Sequence, residues 1–152
     1  MSTVLTRVAD ELQSMFDRAR NIAVLTGAGI SAESGVATFR GGGGSEIWTW
    51  RGRPVTELSS AELISTDPKL VWEWFDYRRG LFSRLEPNPG HLALAEWERR
   101  FEEFTLVTQN IDDLHRAAGS LNVLELHGNI WRARCLRRGS SFYGETQRRA
   151  SY

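Results

Sequence analysis

The sequence predicts an α/β fold with a parallel sheet flanked by helices, and two observations carry that expectation. Three short apolar runs of strand length, residues 21–26, 105–108 and 123–126, each stop at glycine or at polar side chains. Between them lie longer stretches with apolar residues at helical spacing, and that alternation is the signature of a parallel sheet with crossover helices.

The elements follow in order. Val4, Leu5, Val8, Leu12, Met15 and Phe16 recur at a helical period, predicting an amphipathic helix over residues 3–19. The run Asn21-Ile22-Ala23-Val24-Leu25-Thr26 reads as a buried parallel strand closed by Gly27. Four consecutive glycines, Gly41 to Gly44, predict a loop, because glycine loses the most backbone entropy on ordering. Asp67 followed by Pro68 is a helix start, with the carboxylate as N-cap and proline at the first helical position; that helix runs to residue 84. Residues 87–90 form a turn and 91–101 a further helix. A short helix over 111–118 follows the second strand, with Gly119 placed to cap it.

With 152 residues, 41% hydrophobic and 25% charged, the chain has apolar material for one core. Lys and Arg total 19, as do Asp and Glu, so charge gives no reason to expect nucleic acid or an anionic membrane. From Gly128 onward six arginines face Glu145 alone, read as a solvated basic tail. A single cysteine, Cys135, excludes an internal disulfide. Arg7, Asp10 and Glu11 break up any apolar leader, and a cytoplasmic location is the expectation.

Three segments carry candidate chemistry, all at strand ends, where open parallel sheets bind ligands. The first is Gly27-Ala28-Gly29-Ile30-Ser31-Ala32-Glu33-Ser34-Gly35, a glycine turn opening a helix. Gly29 lets backbone approach a phosphate and a helix N-terminus offers free N–H groups. Such a turn is also a common structural connection, and it lacks the third glycine of dehydrogenases and the Gly-Lys of P-loops. The second is Thr108-Gln109-Asn110-Ile111-Asp112, where Asn and Asp could cap a helix or hold a carboxamide and ribose hydroxyls. The third is Glu125-Leu126-His127-Gly128; an imidazole at a strand end can serve as general base. His91 and His115, inside expected helices, read as structural.

Residues 27–40, ending in Val36-Ala37-Thr38-Phe39-Arg40, closely resemble the NAD-binding signature of the sirtuin family. Thr108-Gln109-Asn110-Ile111-Asp112-Asp113-Leu114-His115 and Leu126-His127-Gly128 look like its second and third signatures, in the right order. The likeness spans residues 22–135. It implies a Rossmann-like sheet and an NAD-dependent protein lysine deacylase that releases nicotinamide and O-acyl-ADP-ribose. NAD would contact Gly27, Ala28, Gly29, Ile30, Ser31, Glu33, Thr38, Phe39, Arg40, Gln109 and Ile111. Asn110 and Asp112 would line the nicotinamide pocket, and His127 would be the general base. Phe39 and Arg40 would shield the reactive centre beneath a lid at Gly41–Gly44.

Val71-Trp72-Glu73-Trp74-Phe75-Asp76-Tyr77-Arg78-Arg79 resembles the desuccinylase and demalonylase branch, which holds an acyl carboxylate with a Tyr-x-x-Arg pair. Arg78 fits the arginine, but Phe75 stands at the tyrosine position. The loss of one hydroxyl would weaken that preference by about 1 kcal/mol. Equally, Phe75 could be helix core and Arg78 a solvated face.

The family's structural zinc needs four cysteines, and Cys135 matches only one, so the zinc ribbon is expected to be absent or vestigial. Residues 1–138 are read as a partial NAD-binding domain, incomplete at its C-terminal side, and 139–152 as a divergent tail. A sheet so shortened would leave an apolar edge open to self-association. Besides a deacylase acting on acyl-lysine protein, two alternatives stand: an impaired fragment that binds NAD or ADP-ribose weakly, and an NAD-linked oxidoreductase, supported only by the glycine turn.

Overall fold

The computed structural model describes the backbone of residues 2–36, 49–135 and 141–143, with side chains over 10–36 and 49–135. Helix α1 (Ser2–Arg18) leads into strand β1 (Asn21–Thr26) and the single-turn helix α2 (Ala28–Ser31), extended by a 3-10 turn at Ala32–Ser34. A hairpin of β2 (Thr49–Trp50) and β3 (Arg53–Pro54) precedes helices α3 (Val55–Leu58), α4 (Ala61–Thr66) and α5 (Pro68–Phe82). Then come α6 (Pro89–Arg100), β4 (Glu103–Thr108), α7 (Leu114–Ala117), β5 (Val123–Glu125), β6 (Arg132–Arg134) and β7 (Ser141–Tyr143).

The main sheet is three-stranded and parallel, in the order β1-β4-β5, and Rossmann-like in its crossover connections. Register pairs Thr26 with Thr108 and Thr108 with Glu125, so the three carboxyl ends lie level. Leu106 of β4 is fully buried, and with Leu94 of α6 and Val123 of β5 it forms a core joined by Val24, Ile30 and Trp97. Phe16 of α1 packs on Trp97 and Phe101, with ring centroids 4.6 and 4.9 Å away.

The strands are covered on one face only. Leu25 is 65% and Leu124 57% exposed and Val24 is only half-buried, so the expectation of a buried first strand fails at Leu25 and holds in full only at Thr26. In α1, too, Leu12 and Met15 lie exposed, and Phe16 makes the aromatic contacts.

A second core, Val55, Leu58, Leu63, Val71 and Trp74, is built by α3 to α5. The Asp67 carboxylate caps α5 by accepting from the Leu70 N–H at 3.0 Å, with Pro68 next, as the sequence predicts. Two expected boundaries move. Helix α6 starts at Pro89 because the Asn88 side chain accepts from the Gly90 N–H at 2.9 Å. Helix α7 starts at Leu114 because the Asp112 carboxylate takes the Leu114 N–H and Asp113 adopts a left-handed φ of 70°. Gly119, with φ 105°, follows α7 in the conformation that a C-terminal cap requires.

β7 pairs antiparallel with β6, which ties residues 141–143, part of the segment read as a tail, to Arg132–Arg134. Among the described residues no helix is long and apolar enough to cross a membrane.

Candidate functional site

The glycine turn follows β1 directly. The Gly27 carbonyl accepts from the Ile30 N–H at 3.2 Å and from Asn110 Nδ2 at 3.0 Å, which binds the first strand end to the second. A methyl group added at Gly29 would meet nothing within 4 Å, and one at Gly27 only Gln109 Nε2 at 3.9 Å. Neither glycine is therefore needed for internal packing, and the space above the turn is open. The helix it opens has only four residues. A dipole summed over one turn is small, so the expected helix N-terminus contributes little, and the backbone of the turn itself is what a phosphate would meet.

Ser31, fully buried, is the hub behind the turn. Its hydroxyl donates to Asp112 Oδ2 at 2.7 Å and accepts from Asn110 Nδ2 at 3.0 Å. His91 Nε2 lies 3.3 Å from the same hydroxyl, while His91 Nδ1 faces the Asn88 N–H, also at 3.3 Å. The Asn88 donor requires Nδ1 to accept, so the proton sits on Nε2 and points at Ser31. Asn88 also donates to the Ile30 carbonyl at 2.6 Å and to Ser34 Oγ at 3.0 Å. His115 Nε2 pairs with Thr26 Oγ1 at 2.9 Å, and its ring meets that of His91 edge-on at 4.9 Å.

The electrostatics centre on Asp112, 4% exposed. Burial holds both histidines below their ordinary range, His115 down to about 4, and Asp112 offsets part of the effect; His91 further depresses His115. Burial likewise lowers Arg78, again partly offset by Asp112. The Arg78 guanidinium lies over the Trp74 and Phe82 rings, 5.7 and 5.0 Å from their centroids.

His127, exposed after β5, lies on the wall of a cleft of about 540 Å³ that it shares with Phe75, Val71, Trp72, Ile111 and Ile130. The Leu126 N–H reaches the Thr108 carbonyl at 2.9 Å and the Ile130 N–H the Ile111 carbonyl at 2.9 Å, so the second and third loops are stitched together. Trp131, buried, reaches the Asp112 carbonyl with its Nε1 at 3.4 Å.

Of the residues singled out from sequence, the structure joins Gly27, Ser31, Asn110 and Asp112 by direct hydrogen bonds, and it puts His127, Ile111 and Phe75 around one cleft. Ala28 and Ile30 are half-buried in the turn, whereas Glu33 and Gln109 face solvent. Arg78 is not part of the cleft wall; Arg79 is. Thr38, Phe39, Arg40 and the Gly41–Gly44 loop lie outside the described residues. Sequence reasoning missed the parts played by His91, His115, Asn88 and Thr26. Both histidines are buried, as a structural role demands, yet His115 touches Thr26 at the end of β1 and His91 touches Ser31 in the helix after the glycine turn. The spacing of Asn88 and His91, N-cap and third helical position, was the available signal.

Strand ends of a parallel sheet carrying a glycine turn, a carboxamide–carboxylate pair and a histidine define an α/β protein of the Rossmann-like class, with its ligand crevice at those ends. Comparison with known proteins narrows the class: the Sir2 family matches residues 27–151, and the chain belongs to that family. The match continues through the residues read as a divergent tail. An NAD-dependent protein deacylase of Aquifex aeolicus is 50% identical over 126 residues, 83% of this chain and 51% of that protein. The mitochondrial NAD-dependent protein deacylase sirtuin-5 of Canis lupus familiaris is 46% identical over 129 residues, 82% of this chain and 40% of its own length. A solved Sir2 homologue in complex with NAD is 43% identical with a TM-score of 0.70, covering 80% of this chain and 46% of the other. The chain thus spans about half the length of the relatives it matches.

Proposed function

We propose that this chain carries the NAD-handling and general-base portion of an NAD-dependent protein lysine deacylase. The observation that supports this most is that the three strand ends lie level, with Asp112 held behind the glycine turn by Ser31 and in the field of His91, His115 and Arg78.

The residues present fit NAD. The open space over Gly29 admits a pyrophosphate to backbone distance, and Asn110 and Asp112 offer a carboxamide and a carboxylate deeper in. NAD, when bound, supplies a ribose carbon from which nicotinamide departs. Asn110 orients the crevice by spending Nδ2 on Gly27 and Ser31, which leaves its carbonyl oxygen to accept from a carboxamide. Asp112 would supply a carboxylate to the pocket that holds the nicotinamide ribose, where it would favour positive charge. His127, reachable from solvent, takes a proton from a ribose hydroxyl at an imidazole nitrogen and returns it later. The acyl donor would be an acyl-lysine protein, and the expected location is the cytoplasm. The reading assigns no zinc within these 152 residues, because Cys135 is the sole thiol and one thiolate cannot build a tetrahedral structural site.

A second reading, binding of NAD or ADP-ribose without turnover, draws on the bare sheet face at Leu25 and Leu124, a surface also suited to self-association. One assay separates the two: the chain is mixed with NAD and an acetyl-lysine peptide and free nicotinamide is measured. Release that requires both reactants supports the deacylase; an NAD-dependent rise in melting temperature without release supports the second reading; neither effect sinks both.

A further inference from the structure

We infer that Asn129 is a positioning residue for the reaction: its carboxamide clamps the loop that carries His127 to the loop that carries Asp112, and so sets where the general-base imidazole stands. The inference rests on the deacylase reading and deepens it.

His127 needs such support. Its side chain faces solvent, and among the described residues its imidazole has no hydrogen-bond or ion-pair partner. Only the backbone beneath can fix its place, and a base displaced by ~1 Å can cost roughly 100-fold in rate. Backbone hydrogen bonds from the Leu126 N–H to Thr108 and from the Ile130 N–H to Ile111, both 2.9 Å, hold the two ends of the loop. Between them lie His127, Gly128 and Asn129, and Gly128 turns the chain with a φ of 74°. Of the three, only Asn129 is buried.

The Asn129 carboxamide is fully engaged. Its Nδ2 donates to Asp113 Oδ1 at 2.8 Å and to Glu125 Oε1 at 3.0 Å, and its Oδ1 accepts from the Trp131 N–H at 2.9 Å. Both carboxylates are nearly sealed, with side chains 1% and 8% exposed, and Arg116 faces them at 3.9 and 3.1 Å. Arg132 is also paired with Glu125. Asp113 follows Asp112 directly and holds a φ of 70°, which costs a non-glycine residue energy and persists where the surroundings impose it. One amide thus ties the end of β5 to the loop after β4, two residues from His127. The backbone is fixed there, while the ring stays free to turn towards a hydroxyl. Aspartate has the same shape as asparagine, but at this position it would set a third carboxylate against Asp113 and Glu125.

The test uses the whole chain with NAD and an acetyl-lysine peptide. Formation of deacetylated peptide gives kcat and KM, and amide hydrogen exchange without ligand reports how firmly the loop is held. Asn129→Ala is expected to lower kcat at least tenfold with KM for NAD within twofold, since the glycine turn and Asn110 are untouched. It should also speed exchange at Leu126 and Ile130 at least tenfold relative to the Gln109 amide, which bonds Thr26 on the far side of β4. N129D should lose as much activity, and adding D113N to it should restore kcat at least threefold, because the amide then donates from the opposite partner. If Asn129→Ala does not fold, the N129D pair decides alone. An unchanged kcat, a KM that rises in proportion to the loss of kcat, or no recovery on adding D113N overturns the inference. If the unaltered chain shows no turnover, the deacylase reading falls and exchange decides the clamp: faster loop exchange in Asn129→Ala upholds it, and unchanged exchange overturns it.

Discussion

Two regions at the strand ends contrast sharply. Around Asp112 the side chains are held from within: Ser31 is closed off from solvent, Asn110 is half-buried, and the Ser31 hydroxyl serves Asp112, Asn110 and His91 together. Around His127 the side chain faces solvent on a broad apolar cleft. The first half is organised before any ligand arrives, so its cost has been met in folding; the second gains its order from what it binds. Pre-set polar groups suit the fixed part of a reaction, and an open wall suits a substrate that varies.

If that division holds, substitutions in the two halves should separate stability from activity. The largest loss of stability should come from Asp112→Ala, which strands the Ser31 hydroxyl and the Leu114 N–H in the interior. A cost of about 3 kcal/mol is expected by urea denaturation, together with loss of any NAD-induced rise in melting temperature. A loss under about 1 kcal/mol would mean that the interior there is wetter than the contacts imply. Acid should act on the same half. His115 is held at about 4 against an ordinary 6.5, so the unfolded chain takes up a proton first as pH falls. Its contribution is complete above pH 6.5 and drains away towards pH 4, by at most about 1.4 kcal/mol per pH unit. Melting temperatures across that window should fall, and H115Q should flatten the decline.

Ser31→Ala comes next, at about 2 kcal/mol, since it removes one donor from Asp112 and one acceptor from Asn110. At the small end, His127→Ala should change stability by less than about 0.5 kcal/mol while cutting nicotinamide release at least ~100-fold. Should that variant unfold appreciably more easily, the open half would be structural after all, and the contrast would fail.

Much of this arrangement is legible in the sequence because local chemistry and tertiary placement agree. The strand 21–26 and the capped start of α5 at Asp67-Pro68 rest on short-range rules, and both form where they are read, although the strand is less buried than expected. What could not be read depends on distant partners. Nothing near His91 in the chain announces Ser31, sixty residues away, and nothing near His115 announces Thr26. The late start of α7 has the same origin, for the Asp112 side chain caps the helix through one oxygen and meets Ser31 through the other. The half-bare sheet is equally invisible locally, since Val24 and Leu25 look alike in sequence and differ only in which face a helix covers. Candidate site residues were found where backbone signatures carry them, at strand ends, and missed where only a side chain reaches in.

Asn88 has a chemical consequence of its own. Its carboxamide fastens α6 to the glycine turn through two donated hydrogen bonds, so conversion to aspartate would turn a donor into a charge facing the Ile30 carbonyl. Asparagine ages chiefly by attack of the following residue's amide nitrogen on the side chain. Here that residue is Pro89, which has no N–H to give. The joint that shapes the cofactor turn is thus protected by its own neighbour from spontaneous deamidation, and should outlast the rest of the molecule on storage.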